Sequence, residues 1–114
     1  MNTVTLIGNL TRDPEMKGNG ETKVCRMRLA ESSGSKEGSP LYIDVAAFGR
    51  QAETCKRYLH KGRPVAVTGR LRFREWEGEG GVKRSAHSIA ADRVQFLSGS
   101  REQREEREEV ASEF

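Results

Sequence analysis

Three arginines recur at every second position of one short segment, and a tryptophan ends the series. Arg70, Arg72 and Arg74 are followed at the same spacing by Trp76, the only tryptophan of the chain. In an extended strand, such side chains lie on one face about 6.6 Å apart, so their guanidinium groups can follow the phosphates of an extended nucleic-acid strand. The indole adds a surface on which any base can stack. The pattern indicates binding of a polyanion with little sequence preference, the alternative being an ordinary solvated strand face.

A second segment has the same two-sided character. Arg26 and Arg28 alternate with the apolar side chains of Cys25, Met27 and Leu29. This alternation predicts a strand with one apolar face and one basic face. Both arginines therefore join the candidate binding residues.

Two aromatic residues share one face of a third predicted strand. Tyr42 and Phe48 have the same parity, opposite to that of Ile43, Val45 and Ala47. They either cap one end of the core, as most aromatic residues do, or stack on a ligand. The residues alone leave both interpretations open.

The sequence contains no pattern typical of catalysis. Asp13, Asp44 and Asp92 are scattered, and the Gly-rich segments lack the lysine and following helix of a phosphate-binding loop. We therefore expect no catalytic residue and no cofactor.

The cysteines do not predict a metal site. Cys25 and Cys55 lie thirty positions apart with only His60 and His87 to accompany them, which matches no zinc-ligand spacing. In a chain without a secretion signal, the simpler interpretation is two reduced core residues rather than a disulfide.

The charge is distributed unevenly along the chain. The net charge is +3, but residues 101–114 hold six glutamates and three arginines and carry −3, which leaves +6 on residues 1–100. A basic folded part is typical of a protein that meets a polyanion. The acidic segment lacks apolar periodicity and is expected to be disordered.

The apolar periodicity places these residues on an all-β scaffold. Four or five strands are predicted, with one helix whose apolar positions are Ala52, Cys55 and Leu59. In the strand of the arginine series, Leu71 and Phe73 share the apolar face of Val65 and Val67. Strands joined by loops rather than by repeated helices favour a small antiparallel barrel or sandwich. Gly8 interrupts the first strand and predicts a bulge or a close backbone approach.

Three segments together resemble the bacterial single-stranded DNA-binding protein family. They read NTVTLIGNLTRDPE, VCRMRLA and YIDVAAFGRQAETCKRYLHKGRPVAVTGRLRFREW, in that order and spacing. The resemblance implies an OB-fold, a five-stranded antiparallel Greek-key barrel with one short helix, over residues 1–98. It also implies a homotetramer that binds single-stranded DNA in replication, recombination and repair. Residues 99–114 would form a short acidic tail.

The resemblance assigns roles to particular positions. Tyr42 stands where relatives have a stacking tryptophan, Phe48 matches their stacking phenylalanine, and Trp76 matches a second stacking tryptophan. Relatives often carry a further tryptophan near the position of Ser35, and the tyrosine at 42 implies weaker stacking. By analogy with the acidic tips that recruit replication and repair enzymes, the candidate partner-binding residues are Glu108, Glu109, Glu113 and Phe114, unless the tail only solvates the chain.

Two rival functions share these features. An OB-fold RNA-binding protein would have the same sheet, charge and aromatic residues, and a primosome-type adaptor would bind proteins more tightly than DNA. No apolar run approaches the length of a membrane span. The expected location is the bacterial cytoplasm, in association with the nucleoid.

Overall fold

A computed structural model describes residues 1–32 and 39–97 of the chain. In chain order its elements are β1 (Val4–Leu10), β2 (Glu15–Lys17), β3 (Val24–Glu31), β4 (Leu41–Phe48), α1 (Gly49–Tyr58), β5 (Pro64–Glu77) and β6 (Lys83–Phe96). Single 3-10 turns at Gly20–Thr22 and Glu79–Gly81 precede β3 and β6. Ser35 and the predicted tail, with its four candidate partner-binding residues, lie outside the described residues.

The strands form a closed ring. Its order is β1, β5, β6, β4, β3 and back to β1, and β2 pairs with β3. This confirms the predicted OB-fold barrel with one helix, to which β2 is a short addition. The prediction had only antiparallel pairs, whereas β4 and β6 are parallel. Five strands in a ring cannot alternate in direction all the way around, so one neighbouring pair must run the same way.

The core lies inside this ring and under α1. The inward-facing side chains of β3, β4, β5 and β6 are fully buried, among them Met27, Val45, Val67 and Ile89. The helix and the residue that follows it cover one end with the three predicted apolar positions, Ala52 and Cys55 in α1 and Leu59 directly after it, all of which are buried.

Gly8 confirms the predicted close approach of two backbones. A Cβ at this position would lie 2.7 Å from the carbonyl oxygen of Ala30, so only glycine allows β1 to pass β3 this closely. This crossing is where the ring closes, because Asn9 and Leu10 pair with Ala30 and Leu29.

The outer half of β5 corrects one prediction. Leu71 and Phe73 are 40% and 56% exposed and do not join Val65 and Val67 in the core. The reason is that β1 pairs with β5 only as far as Gly69. Opposite residues 70–72 of β5, β6 is still paired with β4; among the described residues, β5 and β6 continue past the barrel as a two-stranded hairpin only from Phe73 onward.

The two cysteines are free thiols in the core, as predicted. Burial raises the pKa of Cys55 to about 12, and the neighbouring Cys25 adds to this shift. Burial also raises the pKa of Cys25. Such thiols are protonated and poorly nucleophilic at neutral pH. No helix within the described ranges is long and apolar enough to cross a bilayer.

Candidate nucleic-acid interface

An open groove of about 600 Å³ runs along one side of the barrel. It lies between β3 and β4 on one side and the β5–β6 hairpin on the other. Its lining residues are Arg12, Val24, Arg26, Met27, Asp44, Val45, Ala46, Phe48, Arg72, Phe73, Arg74, Ala86, His87 and Ser88. Four arginines against one aspartate make the described lining of the groove strongly basic.

Strand register explains why the arginines lie on both sides of small residues. One row across four strands consists of Arg26, Ala46, Ala90 and Arg70, and the next consists of Arg28, Asp44, Ser88 and Arg72. In both rows, β3 and β5 each supply an arginine, while β4 and β6 supply shorter side chains. The basic groups are therefore held apart, with room between them for an extended chain.

At the β3–β4 margin, one arginine contacts two neighbours. The guanidinium carbon of Arg28 lies 5.4 Å from the centroid of the Tyr42 ring. The same guanidinium lies 3.6 Å from a carboxylate oxygen of Asp44. Tyr42 is 51% exposed, so its ring remains accessible although Asp44 helps to hold the cation against it. Exposed ion pairs of this kind are weak and exchange readily with other anions.

On the hairpin, a second arginine lies over a second aromatic ring. The guanidinium carbon of Arg74 is 4.6 Å from the centroid of Trp76, within the range of a cation–π contact. Arg74 lines the groove, whereas Trp76 stands beside it with 39% of its surface exposed. An indole left this accessible on a basic strand is available for base stacking.

Three aromatic side chains line the groove itself. Phe48 is 42% exposed at the end of β4. Phe73 and His87 are cross-strand partners on the hairpin, and their ring centroids are 5.1 Å apart. These rings give the basic groove flat apolar surfaces, which is the combination that single-stranded nucleic acids bind.

The eight predicted binding residues fall into two groups. Arg26, Phe48, Arg72 and Arg74 line the groove, whereas Arg28, Tyr42, Arg70 and Trp76 lie around it, Arg28 half-buried and the other three exposed. Both groups occupy the same side of the barrel, although only the first encloses the groove.

Three groove residues were missed by the sequence analysis. Phe73 was assigned to the core because the alternation of β5 does not reveal where the barrel ends. The length of β5 does reveal it, because fourteen residues far exceed the usual five or six of a strand. His87 follows from Phe73 by pairing, whereas Arg12 comes from the loop after β1, which no periodicity places.

Comparison with known proteins points to one family. Residues 1–97 match the model of the Single-strand binding protein family. The chain is 38% identical over 103 residues to a protein of Wolinella succinogenes named single-stranded DNA-binding protein, an alignment that covers 84% of this chain and 64% of the relative. A protein of the same name from Clostridium tetani is 35% identical over 108 residues, covering 90% of this chain and 74% of the relative.

A third relative, single-stranded DNA-binding protein 2 of Chlorobaculum tepidum, is 33% identical over 117 residues, covering 96% of this chain and 79% of the relative. The match to the Wolinella relative and to one from Helicobacter hepaticus spans less than two thirds of their lengths, 64% and 61%.

Proposed function

The chain belongs to the single-strand binding protein family, and we propose that it coats single-stranded DNA without marked sequence preference. Bound along the strand, it would protect the DNA and prevent it from re-pairing during replication, recombination and repair. The observation that carries this proposal is the groove in which Arg26, Arg72 and Arg74 lie beside the rings of Phe48 and Phe73.

In the proposed binding mode, charged and aromatic side chains contribute in different ways. Arginines neutralise phosphates and release counterions, which gives affinity that falls as salt rises. Aromatic rings stack on bases of every type. We assign the phosphate contacts to Arg26, Arg28, Arg70, Arg72 and Arg74. The stacking role belongs to Tyr42, Phe48 and Trp76.

We propose that the protein works by binding rather than by catalysis. Among the residues that the structure describes, the groove holds a single carboxylate, Asp44, whereas metal-assisted cleavage of a phosphodiester requires a cluster of ligands. Its place of action would be the bacterial nucleoid, where single-stranded DNA is exposed.

We also propose self-association, with a homotetramer as the assembly. Within the described residues, the outer edge of β1 from Val4 to Gly8 has no strand partner. Ile7, in the middle of this edge strand, is 60% exposed. An open edge beside an exposed apolar side chain is suited to pairing with a second copy.

The acidic tail is the proposed recruitment segment. We propose that the folded domain covers residues 1–98 and that Glu108, Glu109, Glu113 and Phe114 contact replication or repair enzymes. The support is compositional, since an acidic segment ending in an aromatic residue contrasts with the basic domain. Deleting residues 110–114 should abolish binding to a partner helicase or nuclease while leaving DNA affinity intact. Unchanged partner binding would show that the tail only solvates the chain.

A fluorescence titration tests the main proposal directly. Trp76 is the only tryptophan, so its emission reports one site. We expect strong quenching by oligo(dT), tighter binding of oligo(dT) than of oligo(rU), and affinity that falls steeply with salt. Tighter binding of the RNA would favour the RNA-binding alternative, because the 2′-hydroxyl then contributes. If neither oligomer bound, the protein-adaptor alternative would take first place.

A further inference from the structure

The side chain of Asn2 forms a two-bond clamp on the main chain of Leu71. Its Nδ2 donates to the Leu71 carbonyl oxygen at 2.9 Å, and its Oδ1 accepts from the Leu71 amide at 2.9 Å. A carboxamide carries a donor and an acceptor side by side, the same pair that a strand residue exchanges with its antiparallel partner. The Asn2 side chain therefore acts as one more rung of the sheet.

This rung lies just beyond the end of the regular β1–β5 pairing. The last main-chain pair is Val4 with Gly69, and Leu71 is two residues further along β5. Within the described residues, β5 has only β6 as a strand partner from this point on. On the other side of β5, Leu71 pairs with Ile89 of β6, which in turn pairs with Val45 of β4. The clamp therefore attaches the β5 side of the strand pair to the barrel, at the last rows before the free hairpin.

A β-bulge lies two residues before Leu71, where β5 and β6 bend. Pairing shifts between Thr68 with Arg93 and Gly69 with Ala91, which leaves Asp92 as an extra residue in β6. Such bulges bend strands and increase their local twist. At Gly69 any Cβ would collide with the Ala90 carbonyl oxygen, so the two strands are in close contact there. The pairing of β4 with β6 supports the β6 side of this bend, and the Asn2 side chain supports the β5 side.

We infer that Asn2 is a positioning residue for nucleic-acid binding: by holding Leu71, it orients the hairpin side chains toward the β3–β4 side of the groove. The inference rests on the proposed function. Arg72, Phe73 and Arg74 follow immediately after Leu71, and Trp76 lies five positions beyond it. A small rotation at the clamp moves all of them together, because the paired strands form one unit.

The clamp is separate from the barrel core. Asn2 is exposed, and neither Asn2 nor Leu71 belongs to the buried cluster, although Ile89 of that cluster is the strand partner of Leu71. Replacing Asn2 by alanine should therefore leave the barrel folded while the hairpin samples more orientations. If one orientation in five remains competent, the apparent Kd rises about five-fold.

The test compares wild type, Asn2→Ala and Thr3→Ala for binding to oligo(dT) over a range of salt. Thr3 is the neighbouring exposed residue, and its side chain has no hydrogen bond within the described ranges, so its replacement is the matched control. We expect Asn2→Ala to raise Kd about five-fold with an unchanged salt slope and unchanged final quenching of Trp76. An unchanged salt slope and an unchanged final quenching distinguish lost orientation of the hairpin from lost contacts with DNA. Thr3→Ala should match wild type.

Asn2→Asp provides a second, conservative variant. Its carboxylate can still accept from the Leu71 amide, but it donates to the carbonyl oxygen only when protonated. Its Kd relative to wild type should therefore improve as pH falls toward about 4, near the ordinary pKa of an aspartate. Hydrogen exchange at the Leu71 amide should be fast in Asn2→Ala and remain slow in Asn2→Asp.

The results distinguish failure of the positioning role of Asn2 from failure of the proposed function. If wild type binds oligo(dT) and Asn2→Ala binds equally well despite fast Leu71 exchange, the positioning role is wrong and the proposed function stands. If wild type itself fails to bind oligo(dT), both the proposed function and this inference are wrong. A reduced salt slope in Asn2→Ala would also contradict the inference, since it would mean that phosphate contacts were lost.

Discussion

The guanidinium of Arg74 lies over the ring of Trp76, two positions further along β5, with 4.6 Å between the guanidinium carbon and the ring centroid. The cation covers one face of the indole, so the opposite face is the one that can receive a base. The same cation remains at the edge of the groove, where a phosphate can reach it. Charge and stacking are therefore coupled in one pair of side chains.

Replacing Trp76 by alanine should weaken binding to every base to a similar degree. Loss of one stacking surface costs about 1–3 kcal/mol of binding free energy. Fluorescence anisotropy with labelled dT, dA and dC oligomers measures this, and Trp76→Phe, which retains a ring, should lose less. A loss confined to one base would indicate sequence readout instead of stacking.

Replacing Arg72 and Arg74 together by alanine should change how binding depends on salt. Each lost phosphate contact lowers the slope of log K against log salt by about 0.7 on single strands, so the pair should lower it by about 1.4. Arg57→Ala is the control, because that guanidinium lies over Tyr58 on α1 and does not line the groove. Equal salt slopes for wild type and the double variant would mean that these arginines do not contact phosphates.

Phe73→Ala should weaken DNA binding with little loss of stability. The side chain is 56% exposed in the groove, so its removal should cost well under the roughly 3–5 kcal/mol typical of a buried phenylalanine. Phe96→Ala is the matched control, because Phe96 packs against the core and against Tyr58. Urea unfolding and oligo(dT) affinity should show opposite patterns for the two variants. A large loss of stability for Phe73→Ala would mean that the Phe73 side chain belongs to the core.

Ile7→Lys should lower the mass of the assembly in solution. A charge on the open edge strand opposes pairing with a second copy, and light scattering after size exclusion measures the change. Val82→Lys is the control, since Val82 is equally exposed, at 59%, but lies next to the hairpin turn. If both variants kept the wild-type mass, association through this edge of β1 would be excluded.

Stability should fall at high pH because of Cys55. The folded thiol has a pKa of about 12, whereas the ordinary value is 9.0. A raised acid pKa means that its stabilising contribution is complete below pH 9 and is lost as pH rises toward 12, because the unfolded thiol ionises first. The loss approaches about 1.4 kcal/mol per pH unit in this window. Urea unfolding at several pH values should show a smaller decline for Cys55→Ala, and identical pH profiles would contradict the shift.

The sequence predicts the barrel well because its determinants are local. Alternation in β3 and β4 separates buried residues such as Met27 and Val45 from exposed ones such as Arg26 and Tyr42, and the structure has the same separation. The helix positions Ala52, Cys55 and Leu59 follow from period 3.6 in the same way.

The groove was only partly predictable because it depends on where pairing stops. Phe73 has the same parity as Val67, yet one is exposed and the other is buried, because β1 no longer accompanies β5 beyond Gly69. Likewise, the contact of Asn2 with Leu71 joins residues 69 positions apart. Sequence periodicity does not predict such a contact, because it forms only when the ring of strands has formed.

The ring also constrains when a newly made chain can fold. Its closure requires β6 between β4 and β5, and Ile89 is part of the buried core. Until β6 is in place, β4 and β5 each lack one strand partner, so the partly formed sheet of β1, β3, β4 and β5 has two edges open. During that interval the exposed edges can pair with neighbouring nascent chains. Insertion of the last strand is therefore the step that closes these two edges and ends this exposure.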